Sequence, residues 1–160
     1  MKAIISDTSP INYLLLIGEV ELLPKLFGEV LIPASVFQEL SHPRAPKVVS
    51  QWIAHLPAWV KIATLRGPAL ELGLDPGETE AISLAVELGI PAILVDVRRG
   101  RIAAKKQGIV PVGTLNVLES ADIRGFVDLE SAVDKLRVTS FHIDTATLDT
   151  LVEESRQRRK

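Results

Sequence analysis

Short apolar runs closed by polar residues alternate along the chain with stretches whose apolar side chains recur every three or four positions. Ala3-Ile4-Ile5 predicts a strand buried on both faces that stops at Ser6-Asp7, placing Asp7 at its C-terminal end. After Pro10, Ile11, Leu14, Leu15 and Ile17 keep helical spacing up to Gly18, and residues 20–27 give a second helical stretch stopped by Gly28. Val30-Leu31-Ile32 predicts the next strand. Pro33 suits the first turn of a helix on which Val36, Phe37 and Leu40 share a face and which carries Gln38 and Glu39. Pro43 and Pro46 make residues 41–46 a loop, and residues 48–56 offer a helix before Val60-Lys61-Ile62, a region whose length suggests an insertion or flap.

Asp75-Pro76-Gly77-Glu78 is a helix start, with Asp at the N-cap, Pro at N1 and Glu at N3, leading into Ala81, Ile82, Ala85, Val86 and Leu88 before Gly89. Ile93-Leu94-Val95 predicts a buried strand ending in Asp96, residues 100–107 a helix, and Ile109-Val110 a fourth core strand. Helices over residues 114–121, 129–136 and 145–155 follow, and residues 156–160 read as a basic tail that frays. The alternation predicts one domain over residues 1–155, a three-layer α/β/α sandwich with a mainly parallel central sheet. Ligands in such sheets bind at the carboxyl ends of strands, where both Asp7 and Asp96 fall. Two carboxylates at one edge repel each other unless a cation lies between them.

Composition narrows the chemistry. The 160 residues contain no cysteine, which excludes disulfide frameworks, thiol nucleophiles and iron–sulfur ligation. Eighteen Lys and Arg against 20 Asp and Glu give a net charge of −2, so contact with nucleic acid needs a local basic patch. The longest apolar run, residues 13–17, is far short of the ~20 residues of a spanning helix, and the start, with Lys2 alone, lacks a signal-peptide core. A cytoplasmic protein without membrane association is expected. Aromatic residues are only 4%, which argues against a single-strand binder working mainly by stacking, and a mean hydropathy of +0.25 points to a homodimer.

Each candidate residue also has a plainer reading. Asp7, in Ser6-Asp7-Thr8-Ser9-Pro10, is either a helix cap or a ligand for a hard divalent cation, with Thr8 and Ser9 supplying hydroxyls. Glu39 alone reads as a solvated surface acid. Glu78 is explained by a capping box, and Glu80, two residues on, points away from it, so only one of the two readily faces a common site. Arg98, Arg99, Arg101, Lys105 and Lys106 make five cations in nine residues, either a solvated helix face or an attractor for a phosphate backbone beside the acids. His42, His55 and His142 have no metal-ligand spacing, and Trp52 and Trp59 read as core or interface anchors. No phosphate-binding glycine motif and no serine-nucleophile motif is present.

Together with Leu31-Ile32-Pro33, Val36-Phe37-Gln38-Glu39-Leu40, Gly77-Glu78-Thr79-Glu80-Ala81-Ile82, Val95-Asp96-Val97-Arg98-Arg99-Gly100-Arg101 and Gly113-Thr114-Leu115, the Ser6 to Pro10 motif resembles the PIN-domain superfamily, in particular its DUF3368-type branch, relatives of VapC toxin ribonucleases. The resemblance runs from Lys2 to about Ser155. It implies a parallel sheet between helices and an acidic cluster that binds Mg²⁺ or Mn²⁺ and hydrolyses RNA phosphodiester bonds. The matching positions are Asp7, Glu39, Glu78 and Asp96, with Glu80 as alternate to Glu78. Thr8, Ser9 and Thr114 would hold a phosphate or a water beside the ligands, and the five cations would meet the RNA backbone. It further implies a toxin role with a cognate antitoxin. Similar sequences often carry two adjacent Asp residues after this strand; here the second place is Val97, which motivates the alternative of a weakly catalytic or non-catalytic RNA- or protein-binding module. A haloacid-dehalogenase-type phosphatase wants a second Asp two residues after the first, where this chain has Ser9.

Overall fold

The computed structural model describes residues 3–142 and 144–160. Lys2, where the family resemblance begins, lies outside them. In chain order the elements are β1 (Ala3–Ser6), α1 (Thr8–Leu16), α2 (Leu22–Phe27), β2 (Glu29–Pro33), α3 (Ala34–Leu40), α4 (Lys47–Ala54) and β3 (Val60–Ala63). They continue with α5 (Pro76–Leu88), β4 (Ala92–Leu94), α6 (Arg98–Lys106), β5 (Val110–Val112), α7 (Thr114–Ile123), α8 (Leu129–Arg137) and α9 (Thr145–Arg158). The five strands form one all-parallel sheet in the order β3-β2-β1-β4-β5, flanked by helices, as the alternating pattern predicts. No described helix is long and apolar enough to cross a membrane.

Side-chain alternation along β1 sends Ile4 into one core and Ile5 into the other. The larger core joins the sheet to α1, α2, α3, α4, α7, α8 and α9 through residues such as Leu14, Leu23, Leu40, Leu118 and Leu136. The smaller packs Ala81, Ile82, Leu84 and Ala85 of α5 and Ala104 of α6 on Ile5, Ile93 and Val95. The chain builds outward from β1 to β2 and β3, then returns to place β4 on the other side of β1. Strand order therefore reverses between β1 and β4, the position where a parallel sheet opens a crevice at its carboxyl edge. Ser6 pairs with Leu94, and the Asp7 N–H donates to the Leu94 carbonyl at 2.9 Å, so the chain leaves both strands side by side with Asp7 and Asp96 at that crevice.

Several local expectations change. Helix α1 begins at Thr8, before Pro10, because the first turn of a helix needs no intrahelical acceptor for its N–H groups. The region around residues 48–62 is no flap: β3 pairs with β2 over four residues, while Val49 and Ile53 of α4 are core. Leu65, Leu70, Leu72 and Leu74 then fold back onto the smaller core, which accounts for the length of that connection. The last strand covers 110–112 and is an edge, with Val110 58% exposed and Pro111 tolerated because one side of an edge strand donates no ladder bonds.

The basic tail does not fray. Helix α9 continues to Arg158, Arg158 and Arg159 reach Asp122 of α7 at 2.5 and 2.7 Å, and Arg156 pairs with Glu130. Asp122 is buried and must be paired, so its need for cations orders the end of the chain. Burial alone would raise its pKa, but hydrogen bonds from Arg159, Arg158 and the Leu129 N–H hold it well below the usual carboxylate range.

Candidate active site

Asp7 is 5% exposed and sits at the N-cap position of α1, yet its side chain makes no capping hydrogen bond. Capping therefore does not account for this residue. Burial pushes its carboxyl up to about 7, Asp75, Glu78 and Glu39 add repulsion, and the Thr8 backbone N–H pulls the other way. Among the described residues no ion pair reaches Asp7, Glu39, Glu78 or Asp96. A cavity of about 260 Å³ opens beside Asp7 and is bordered by Glu39, Asp75 and Glu78, with Asn12 and Tyr13 of α1 on its rim.

The N-terminus of α5 supplies two of these acids. Asp75 caps the helix as its sequence predicts, accepting the Glu78 N–H at 2.8 Å, and Glu78 is buried. Burial raises the Glu78 pKa, as do Asp75 and Glu39, against the Asp75 backbone N–H and Arg99. Glu78 thus combines the capping position with a place on the cavity wall, whereas Glu80 is half-buried and does not border the cavity. The close approach of α5 depends on Gly77, where a Cβ would lie 2.9 Å from Asp7 Oδ1 and 3.5 Å from Glu39 Oε1. Glu39 is exposed on α3 and accepts the Thr8 hydroxyl at 2.5 Å through Oε2.

Asp96 stands apart from this set. It borders two neighbouring cavities and not the one beside Asp7. Its Oδ1 accepts the Thr114 N–H at 2.7 Å, and its Oδ2 accepts the Ser9 and Thr114 hydroxyls at 2.8 Å each. Ser9 also borders the Asp7 cavity, so a single hydroxyl joins the two halves of the acidic edge. The three hydroxyl residues predicted to assist the acids therefore bond to them directly.

The five cations do not form one patch. Arg99 donates to the Gly73 carbonyl, and Arg101 to the Val95 carbonyl and Asn116, so both serve partly to hold loops at the sheet edge. Arg98 borders a cavity next to Asp96, while Lys106, with Arg99, borders a different one between α6 and the Leu72–Leu74 segment. Lys105 is exposed.

The donors around Asp7 are hard carboxylate oxygens, suited to Mg²⁺ or Mn²⁺, and a buried carboxylate among three acids lacks the positive charge it needs. In their present placement, no three Asp, Glu or His side chains among the described residues converge closely enough to hold one ion. A cation would have to draw Glu39 and Glu78 toward Asp7. Sequence reading missed Asp75 as a site acid because capping explained it, and missed Gly77 because its role is a vacancy between elements distant in sequence. Asn12 and Tyr13 could have been found from their spacing to Ser9 on α1.

A family model described as DUF3368: PIN domain matches residues 3–157. No curated protein and no solved structure matches.

Proposed function

The chain belongs to the DUF3368 family of PIN domains, a class that is generally nucleolytic, and from that premise we propose that it is a divalent-metal-dependent endoribonuclease. The observation that carries the reading is the buried Asp7 carboxylate with Glu39, Asp75 and Glu78 around it, none of the four in an ion pair among the described residues, at the point where strand order reverses. Asp7, Glu39 and Glu78 would hold Mg²⁺ or Mn²⁺, which supplies Lewis-acid stabilisation of charge on the phosphate. Asp96 completes the acidic edge through Ser9. Thr8 bonds Glu39 through Oε2, which leaves Oε1, on the Asp7 side near Gly77, to meet the metal or a water bound to it. Ser9 and Thr114 fix the Asp96 carboxylate, so it need not reorganise when substrate arrives. Arg98 takes the RNA backbone beside Asp96; Arg99, Arg101, Lys105 and Lys106 add attraction at longer range. The products carry a 5′-phosphate and a 3′-hydroxyl.

The biological setting we propose is that of a VapC-like toxin, acting as a cytoplasmic homodimer and silenced by an antitoxin that places a cation among the acids. Exposed Ile123, Val110 and Val138 are consistent with apolar surface to cover. The test is cleavage of end-labelled single-stranded RNA with Mn²⁺, with chelator and with Asp7→Asn. Metal-dependent cutting lost in the variant is expected. Val97, at a position where a further carboxylate would strengthen metal binding, favours a second reading as a weakly catalytic or non-catalytic RNA- or protein-binding module; folded protein that binds RNA but never cuts it would support that reading.

A further inference from the structure

Beside the acidic cavity lies a second, of about 400 Å³, that shares Ser9, Tyr13 and Val97 with it and is lined on its other side by Phe141. Ser9 and Tyr13 are one turn apart on α1, so the residue that binds Asp96 and the ring sit on the same helix face. The Tyr13 and Phe141 rings meet edge to face, 4.9 Å between centroids and 69° between planes, and the Tyr13 hydroxyl bonds Ser140 at 2.8 Å. This locks two side chains from opposite ends of the chain into one aromatic wall. Exposed Arg98 stands on the rim.

We propose that this cavity is a nucleobase subsite: the base of the nucleotide adjoining the scissile phosphate packs on the Tyr13–Phe141 wall while Arg98 meets its neighbouring phosphate. The proposal rests on the ribonuclease reading and extends it to substrate recognition. The face of an aromatic ring accepts any base by stacking, and a cavity lined by the two rings and Val97, beside Ser9, Asp96, Ser140 and His142, with Arg98 on the rim, matches a base joined to a charged backbone. Continuity with the acidic cavity fixes which base is bound. A chain otherwise poor in aromatics has placed two of them here, next to the acids.

The experiment measures affinity of the full-length chain for a short single-stranded RNA and for the same oligomer with abasic riboses, by fluorescence anisotropy in chelator, where no cutting occurs. Wild type should prefer the base-bearing oligomer, and Tyr13→Leu and Phe141→Leu should weaken it about five- to hundredfold while leaving the abasic oligomer unchanged. Tyr13→Phe, which keeps the ring and loses the Ser140 bond, should retain the preference, and thermal melts confirm that each variant is folded. No preference in wild type, or an equal loss on both oligomers in the leucine variants, overturns the subsite. A base preference in a protein that never cuts RNA with Mn²⁺ would leave the subsite standing and refute the nuclease reading; cutting without base preference would do the reverse.

Discussion

Replacing Asp7 by Asn should stabilise the cation-free protein at neutral and alkaline pH while abolishing cleavage. The folded carboxyl titrates near 7 against 3.8 for the free side chain. Because the folded state holds this proton more tightly than the unfolded chain, Asp7 does no harm below about pH 4, and its cost grows as pH rises until it is complete above about 7. At 1.36 kcal/mol per pH unit the full penalty is about 4 kcal/mol. Asn keeps the shape without the charge, and incomplete hydrogen bonding of its buried amide returns part of the gain, so a net stabilisation of about 2–3 kcal/mol at pH 8 is expected. Urea unfolding of both proteins in chelator at pH 5 and pH 8 measures it as a difference, which cancels the titration of other groups. The gap should widen in favour of the variant as pH rises. Mn²⁺ should then restore wild type by mass action, about 2.7 kcal/mol at a hundred times its dissociation constant, and leave the variant unmoved. A wild type whose stability relative to Asp7→Asn is constant or improves between pH 5 and 8 would refute the reasoning, because Asp7 would then not be a buried, uncompensated charge.

Other substitutions separate the parts of the site. Gly77→Ala, at the second position of α5, ought to gain a little by helix propensity, but its Cβ 2.9 Å from Asp7 Oδ1 should reverse the sign, costing about 1–3 kcal/mol and most of the cleavage rate, read by melting and by RNA turnover. Glu78→Gln should lose cleavage and Glu80→Gln keep it, since only Glu78 borders the cavity; equal loss in both would contradict this assignment. Asp122→Asn should destabilise by about 2–3 kcal/mol at pH 7, less than a fully buried pair because Arg158 and Arg159 are partly exposed. The depressed pKa of Asp122 means that its contribution is present above about pH 4 and disappears as pH falls further, so wild type and variant should converge in acid unfolding. Thr114→Val removes one of three hydrogen bonds to Asp96 at nearly constant volume and should slow cleavage with little change in stability.

Much of the architecture is legible in the residue order because local physics decides it. Apolar runs such as Ala3-Ile4-Ile5 and Ile93-Leu94, which β4 extends back to Ala92 and not on to Val95, have one stable use in a chain of this length, as strands covered on both faces, and the Asp75-Pro76-Gly77-Glu78 signal places the start of α5 at the residue. Composition likewise removes thiol chemistry, and the resemblance of ordered motifs carries the family. Other features depend on neighbours that no local pattern names. The stretch expected to be a flap is a sheet edge because β2 offered unpaired backbone groups, and a basic end expected to fray is held because Asp122, 36 residues before Arg158, is buried and needs charge. The acids follow the same division. Their positions at strand and helix ends follow from the sequence, but which of them share a cavity does not: Asp75 joins Asp7, Glu39 and Glu78, while Asp96 is drawn aside by Ser9 and Thr114. Hydrogen bonds, burial and the room left by one glycine act across distant segments, so only their packing determines where charge is left unpaired.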